Sequence, residues 1–379
     1  MVWILLNSWT VIAILMGEIM MTNNKTLMAI RGARLRLSCA AVVTVAILVP
    51  AASLAAVPVG ADDKVKLYGD MRIRAETDKS EKQDGTDRDR TRLRYRARLG
   101  VAFQPNDNWS AKLRLATTSS QNSPYESFAT VGGTADLKIG VDTAFIAYTG
   151  VSNLTLVAGK TPLNFWKQNE VFLDDDINPE ALAAVYKVGP FTLNAAYAYL
   201  TAGNWDNKPD ADKTKTAITY QGVFQGGRDL KYTVALGGAS VDDPADVFNA
   251  TQHTMLSAQL KGDAWLAGAD YLKSDADAED TAYVVQGRYK ITKAIGLRAY
   301  YYHVEGNATL ADGLLTQDNF PSAQTAADNF KGVRLQMDYK VDKGTSVDLR
   351  LYDTEIITRG MDGQDAQNTR LQLNVTLKF

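Results

Sequence analysis

Cysteine and histidine are scarce in this sequence. One Cys and two His occur among 379 residues. A single Cys excludes a disulfide framework within the chain and a Cys-based zinc site, and two His leave little basis for a histidine metal centre. We therefore predict that the protein has no cofactor and no metal site.

Basic excess and long apolar runs are also missing. The formal net charge is −2, whereas proteins that bind nucleic acid usually carry an excess of Lys and Arg, so no nucleic-acid partner is predicted. After residue 61, no segment reaches the roughly 20 apolar residues that a transmembrane helix needs. Proline is rare, with 10 residues, while 17 Tyr, 6 Trp and 11 Phe are present. This composition suits long extended strands joined by turns.

The first 61 residues have the pattern of a targeting segment. Arg31, Arg34 and Arg36 precede a short apolar run, and small residues follow it. A basic start, a short apolar centre and a small-residue exit are the parts of a secretory signal peptide. Cleavage after Ala55 and cleavage after Ala61 both fit the pattern, and the sequence does not decide between them.

A second apolar stretch covers residues 1–20. We interpret it as an over-long start, with true initiation at Met21 or Met28, because a complete signal peptide follows these positions. A transmembrane anchor is the alternative. The predicted organisation is a precursor segment, 1–61, and one exported domain, 62–379.

Alternation of apolar and polar residues dominates the exported domain. In segment 90–104 the even positions include Arg92, Arg94, Arg96 and Arg98, and the odd positions between them are mostly apolar. A strand places alternate residues on one face, whereas a helix would distribute these arginines around its circumference. Sixteen segments are predicted as strands: 64–76, 90–104, 109–118, 137–149, 154–160, 181–188, 191–200, 216–224, 230–238, 253–261, 265–273, 282–291, 295–304, 330–341, 346–354 and 369–379.

The links between these segments alternate in length. Links that follow even-numbered segments are tight, such as 105–108 and 189–190, and links that follow odd-numbered segments are longer and polar. Tight turns at one end and long loops at the other are the topology of an outer-membrane barrel. We therefore predict an all-β fold, a transmembrane antiparallel up-and-down β-barrel of sixteen strands. The longer links include 77–89, 119–136, 161–180, 201–215, 239–252, 305–329 and 355–368.

Aromatic residues on the apolar phase cluster near the ends of the predicted strands. Rings of this kind form two belts where a barrel wall meets the lipid headgroups. Phe103, Trp109, Phe191, Phe224, Trp265 and Tyr289 lie near the tight turns, and Tyr199, Tyr271, Tyr283 and Tyr301 lie near the long links.

The chain ends in an alternating strand whose last residue is Phe379. This strand must pair with the first one, because a membrane barrel has no free edges. Together with the signal peptide and the topology, it resembles Gram-negative outer-membrane porins, and the stretches 159–166 and 174–180 are most similar to the family described as "putative porin". The resemblance implies an outer-membrane location, contact with lipid and lipopolysaccharide, recognition of Phe379 by the barrel-assembly machinery, and a homotrimer.

The resemblance also implies that the third long loop, 161–180, folds into the lumen and narrows it. Its acidic residues, which we predict to lie at the constriction, are Glu170, Asp174, Asp175 and Asp176. The predicted pore-lining basic residues share the polar phase of the first three strands: Arg72, Arg74, Arg92, Arg94, Arg96, Arg98, Lys112 and Arg114. An acidic loop opposite a basic wall would create a transverse field. A solvated or salt-bridged wall, and acids that form turns or contact divalent ions, are the alternatives.

The predicted function is passive diffusion of small hydrophilic solutes, because sixteen strands leave room for a water-filled lumen. The wall arginines favour a weak anion preference. A channel specific for a sugar or phosphate remains an alternative, as do an outer-membrane barrel enzyme and a closed structural barrel. No catalytic residue is predicted, since a nucleophile needs a nearby base and His253 has no recognisable Ser partner.

Overall fold

A computed structural model describes residues 57–59, 64–118, 124–128, 138–201, 215–243, 250–310, 328–360 and 365–379. Regular structure within these ranges consists of strands, and no helix there has the length and apolar character needed to cross a bilayer. The strands are β1 (Val57–Val59), β2 (Val65–Lys82), β3 (Asp87–Phe103), β4 (Trp109–Thr117), β5 (Glu126–Ser127), β6 (Ile139–Val151), β7 (Leu154–Lys160), β8 (Glu180–Val188), β9 (Phe191–Thr201), β10 (Lys215–Gly226), β11 (Lys231–Asp242), β12 (Gln252–Lys261), β13 (Trp265–Ser274), β14 (Thr281–Lys290), β15 (Ile295–Val304), β16 (Phe330–Lys340), β17 (Thr345–Ile356) and β18 (Asp365–Lys378).

Sixteen of these strands close into one antiparallel barrel. Consecutive long strands pair with each other, and β18 pairs with β2 from Asp365 opposite Lys82 to Lys378 opposite Asp70. The two short strands are additions to the wall: β5 pairs with β3, and β1 pairs with β2 beyond the end of β18. The predicted sixteen-stranded barrel is therefore confirmed.

The outer face of the barrel is apolar. Leu182, Leu236 and Tyr289 point outwards and are 64%, 59% and 56% exposed. Soluble proteins rarely expose large contiguous apolar surfaces, and a band of this kind is what a membrane barrel presents to lipid. The aromatic residues predicted for the two belts all lie on this outward phase, where Trp109 packs on Tyr148.

The first predicted long link, 77–89, is wrong. β2 continues to Lys82 and β3 begins at Asp87, so the turn comprises only residues 83–86. Residues 77–89 are polar on both faces, which removes the alternation that marks a strand in the sequence. Cross-strand pairs of acids and arginines nevertheless maintain the ladder, and Gly85, with φ of 83°, closes the turn in a conformation that favours glycine.

Strand extension also shortens other predicted links, two of them by several residues. The link 239–252 becomes 243–251 and the link 355–368 becomes 357–364. Apart from the turn 83–86, the connections at one end of the barrel, which we call the loop end, are longer than the tight turns at the other, which we call the turn end. In outer-membrane barrels the turn end faces the periplasm.

The last residue of the chain closes the barrel through its backbone. The Gly69 N–H donates to the Phe379 carbonyl at 3.0 Å, and the Phe379 N–H donates to the Gly69 carbonyl at 3.1 Å. A Cβ on Gly69 would lie 2.3 Å from the carbonyl oxygen of Arg98 and 2.8 Å from the Phe379 ring. The closing seam therefore requires glycine at position 69.

The substitution Gly69→Ala is expected to impair closure. Overpacking of this kind typically costs about 1–3 kcal/mol, because backbone must move to relieve it. We expect the fraction that refolds into detergent micelles, read from heat-dependent gel mobility, to fall severalfold. Gly287→Ala is the matched control, since the nearest atom to a Cβ there is the Leu266 carbonyl oxygen at 4.0 Å. Equal refolding of the two variants would contradict the tight seam.

Candidate functional site

The lumen beside β2 and β3 is lined by two adjacent rows of arginine. All eight predicted basic residues lie on the inward phase of β2, β3 and β4. Arg72 is opposite Arg96 and Arg74 is opposite Arg94 in the β2–β3 ladder. Like charges directly opposite each other repel, so this wall needs counter-charges or polar partners nearby.

Carboxylates on β2 supply part of that counter-charge. Asp70 accepts from Arg96 Nη2 at 3.0 Å and from Arg98 Nε at 2.7 Å, and Asp78 accepts from Arg90 Nη2 at 2.7 Å. These acids share the polar phase of β2 with the arginines, so the sequence contained a signal for them. The pairing of Asp78 with Arg90 was hidden by the misplaced link 77–89, because that link placed Asp78 outside the strands and Arg90 at the first position of one.

Tyr125 is a lumen residue that the sequence analysis missed. Its side chain is 1% exposed, and the Cζ atom of Arg74 lies 4.0 Å from its ring centroid. Its hydroxyl accepts from Arg72 Nη1 at 2.6 Å and from Arg74 Nη2 at 2.9 Å. The residue lies in the predicted link 119–136, where no alternation indicated an inward position. A neutral ring thus separates several cationic groups of the arginine wall.

Tyr125→Phe is expected to destabilise the barrel. The ring and its cation–π contact with Arg74 would remain, but two hydrogen bonds from charged donors would be lost, and such bonds contribute about 1.5–3 kcal/mol each. Denaturant unfolding of the protein in detergent should show a loss of that order. Tyr271→Phe is the control, because Tyr271 is an exposed outward residue. Equal stability of both variants would contradict the role of the Tyr125 hydroxyl.

The predicted constriction acids have different surroundings. Asp176 Oδ1 accepts from Arg96 Nη1 at 3.0 Å and from Arg98 Nη1 at 3.3 Å. Asp174 is buried, and its carboxylate accepts the backbone N–H of Asp176 at 2.6 Å, which forms a local turn. Asp175 is 71% exposed and pairs with Lys167 at 2.8 Å. The structure thus brings one of these three acids to the predicted arginine wall.

Glu170 faces a different part of the lumen. It lies within electrostatic reach of Arg334 on β16 and Arg350 on β17. Removal from bulk water raises the pKa of Glu170, and the negative charge of Asp175 raises it further. Lys167 and Arg334 oppose that shift because they favour the charged carboxylate.

Two of the predicted basic residues lie away from the loop acids. Arg114 on β4 pairs with Asp142 on β6, and the same carboxylate accepts from Asn178 Nδ2 at 2.8 Å. Lys112 is exposed nearer the turn end. Arg114 therefore stabilises the point where the loop returns to the wall.

Loop 161–179 crosses the lumen and is anchored on the far wall. Gln168 Nε2 donates to Asp270 Oδ1 at 3.0 Å, and Gln168 Oε1 accepts from Gln259 at 3.1 Å and from Gln286 at 2.9 Å. Asn169 Nδ2 donates to Asp270 Oδ2 at 2.5 Å. Amide and carboxylate groups from β12, β13 and β14 thus fix the tip of the loop, and the sequence analysis missed them.

The apolar centre of the loop packs on a wall of small side chains. Val171, Phe172 and Leu173 are 0%, 3% and 2% exposed. The inward residues of β8–β11 in the same apolar cluster include many alanines, which leave space for a loop inside the barrel. The loop therefore fills the alanine-lined side of the lumen, and its Asp176 end lies against the arginine-lined side. The alanines are Ala181, Ala183, Ala196, Ala198, Ala217 and Ala239.

Both histidines lie on strands of the barrel wall. His303 stacks on Tyr283 on the outer face, with ring centroids 4.8 Å apart, and His253 is buried on the inward phase of β12. Across the ranges that the structure covers, no group of three or more His, Cys, Asp or Glu side chains is arranged to hold a metal ion.

Comparison with protein families matches part of the chain. Residues 76–211, less than half of the sequence, match the family model described as "Putative porin". The matched segment includes β3, β4 and loop 161–179, which carry most of the lumen contacts described above. A comparison with curated proteins gives no match. The resemblance that the sequence analysis stated is confirmed over this segment.

Solved structures with a similar fold include porins and an outer membrane protein. A mutant of the porin from Rhodopseudomonas blastica is 13% identical, with a TM-score of 0.54 over 83% of this chain and 100% of that chain. A second mutant of the same porin is 14% identical, with a TM-score of 0.53 and the same coverage. A loop-deletion form of OmpT, an outer membrane protein of Vibrio cholerae, is 13% identical, with a TM-score of 0.52 over 83% of this chain and 99% of that chain. At these identities the similarity shows the fold.

Proposed function

We propose that this chain is an outer-membrane porin through which small hydrophilic solutes diffuse passively. The observation that carries the proposal is the division of one closed barrel into an apolar outer face and a charged lumen. Sixteen strands enclose enough space for an aqueous channel, even with a loop inside. The match of residues 76–211 to a porin family and the porin-like fold support a channel over a barrel enzyme.

We further propose a weak preference for anions. β3 places six arginines on its inward phase, from Arg88 to Arg98, and no inward acid. Within the described residues, Arg72 donates to neutral oxygens, those of Thr376 at 2.9 Å and of Tyr125 at 2.6 Å. Its positive charge is therefore not cancelled by a direct ion pair. Charges in the confined lumen act on a permeating ion at short range, whereas exposed loop charges are screened within about 10 Å at 0.1 M salt.

The proposed constriction lies where Asp176 meets Arg96 and Arg98. Asp176 on the loop is ion-paired with Arg96 and Arg98 on the wall, so a solute that passes beside this cluster experiences a field directed across the pore. Arginine suits this position because its guanidinium stays charged and its fork can hold Asp70 and Asp176 at the same time, as Arg96 does.

Diffusion and ion preference are tested separately. Liposomes that contain the purified protein should swell in neutral sugars at rates that fall steeply with sugar size and show no saturation. Absence of swelling with correctly folded protein would contradict the porin proposal.

In a tenfold KCl gradient across a planar bilayer, the reversal potential should have the sign of chloride preference, and clear potassium preference would contradict the anion proposal.

Reversal of one wall charge should change this preference. Arg94→Glu is expected to move the reversal potential towards cation preference, because it replaces a lumen cation with an anion. Lys273→Gln is the matched control, since Lys273 is exposed at the loop end and pairs with Asp280. Equal reversal potentials for wild type and Arg94→Glu would exclude Arg94 from the ion path.

The remaining partners are also proposed. We expect residues 1–61 to direct export and Phe379 to be the residue that the barrel-assembly machinery recognises. The outer face would contact lipid and lipopolysaccharide, and the barrel would assemble as a homotrimer. Crosslinking of the protein in intact outer membranes should give a trimeric band.

A further inference from the structure

A ring of lysines surrounds the mouth of the barrel at the turn end. Seven strands carry a lysine on the inward phase close to their turn-end residue, and all seven side chains are exposed. Within the described part of the chain, none of these lysines forms an ion pair with a carboxylate. We call these residues the lysine ring: Lys66, Lys187, Lys231, Lys261, Lys290, Lys340 and Lys378.

The ladder brings some of these like charges directly together. Lys231 is the register partner of Lys261, and Arg288, one inward position from Lys290, is the partner of Arg298. Like charges directly opposite each other destabilise a sheet. Turn-end positions exposed to water could carry any polar side chain, so a repeated choice of cations points to a role for the positive charge.

A cavity of about 360 Å³ lies within this mouth, between the turns 291–294 and 341–344. Seven basic and three acidic side chains line it. We call it the turn-end pocket. Its volume is within the range of about 300–1,000 Å³ that is usual for small-molecule sites.

The three carboxylates of the turn-end pocket already have partners. Asp338 accepts from Arg298 Nε at 2.6 Å, and Asp348 accepts from Arg350 Nε at 2.5 Å. Asp342 Oδ1 accepts the backbone N–H groups of its own turn, at 2.8 and 2.7 Å. With seven basic and three acidic side chains, the pocket keeps an excess of four positive charges.

One described link at the opposite mouth is acidic. The link between β13 and β14 carries four acids within six residues, 275–280, and Lys273 beside it is paired with Asp280. A local cluster of one sign concentrates ions of the opposite sign. The acidic link would therefore repel anions at the loop end, whereas the basic excess of the turn-end pocket would attract them.

We propose that the turn-end pocket binds multivalent oxyanions, such as phosphorylated or multiply carboxylated small solutes, and that these ions block the pore from the turn end only. Lysine ammonium groups are compact point charges that attract such anions without requiring a fixed geometry. The block rests on the proposed function in one respect, because it requires a water-filled lumen. The binding itself does not.

Sided addition of blocker to oriented channels tests the proposal. A membrane-impermeant maleimide on a single cysteine introduced by Asp277→Cys would identify the loop end of each inserted channel. At 0.1 M KCl, 1 mM tripolyphosphate added at the turn end is expected to lower the current at least threefold, and addition at the loop end to have little effect. Citrate in place of tripolyphosphate separates carboxylate from phosphate recognition. At 1 M KCl, where the Debye length is about 3 Å, the block should disappear.

Charge removal locates the block. The combined variant Lys293→Gln, Lys340→Gln and Lys343→Gln should require at least tenfold more tripolyphosphate for the same block. The control variant, Lys273→Gln with Lys331→Gln at the loop end, should be blocked as strongly as the wild type. Equal block from both ends, or an unchanged block in the triple variant, would contradict the turn-end pocket.

Two further outcomes separate the pocket from the pore. A conducting channel that tripolyphosphate does not block from either side would overturn the pocket and leave the proposed function intact. A protein that does not conduct would overturn the proposed function and the block with it. Equilibrium dialysis of tripolyphosphate against detergent-solubilised wild type and triple variant then decides whether the pocket binds oxyanions.

Discussion

Replacement of residues 164–176 by a short Gly-Ser linker is expected to raise the single-channel conductance severalfold. This segment contains the part of loop 161–179 that crosses the lumen. Val171, Phe172 and Leu173 occupy the alanine-lined side, and Asp176 occupies the arginine-lined side. Conductance of a water-filled pore depends on its narrowest cross-section, so removal of the loop should widen the path on both sides at once.

The comparison requires a variant that keeps the loop in place. Asp175→Asn serves this purpose, because the Asp175 side chain is 71% exposed and contacts Lys167 within the same loop. Its conductance should stay close to that of the wild type. Both variants should first be shown to refold, by the heat-dependent gel mobility used for Gly69→Ala. Equal conductance of the linker variant and the wild type would mean that the loop does not limit the pore.

Asp78→Asn is expected to destabilise the barrel by about 3–5 kcal/mol, which is typical when one member of a buried ion pair is removed. The Asp78 and Arg370 side chains are 0% and 2% exposed, and Arg370 Nε donates to the Asp78 carboxylate. Arg90 Nη2 is 2.7 Å from the same carboxylate. Asparagine would keep the shape of Asp78 but leave the two guanidinium groups without their shared negative charge.

An exposed pair gives the matched control. Lys331 and Glu355 lie 3.1 Å apart on β16 and β17, with side chains 40% and 49% exposed. Exposed pairs typically contribute about 0–1 kcal/mol, so Glu355→Gln should have a small effect. Urea unfolding of the refolded barrel measures both variants. A loss for Asp78→Asn no greater than that for Glu355→Gln would contradict the structural role of the buried carboxylate.

Most of the barrel could be predicted from its lipid-facing residues. Where one face of a strand meets lipid and the other meets water, the sequence must alternate, and segments such as 295–304 were predicted with the bounds that the structure shows. The alternation of apolar and polar residues ends where a strand extends beyond the membrane. Residues 77–82 still form β2, but both faces carry polar side chains and the sequence there has no apolar phase.

The lumen could be predicted only in part. Alternation identified which arginines face inwards, because this depends on strand phase alone. It could not show that Asp174 forms a turn while Asp176 reaches Arg96, since those contacts depend on the path of loop 161–179. The same limit applies to Tyr125, whose position depends on how its link returns to β3. Side chains placed by loop conformation leave no periodic signal.

The recording of single-channel currents from the purified, refolded protein in a planar bilayer tests the central claim most directly. The protein should show stepwise currents that increase in proportion to the applied voltage at low voltage and to the salt concentration, as expected for a water-filled lumen. Protein that has the circular dichroism of a β-barrel and inserts into the bilayer, yet gives no current steps, would contradict the account.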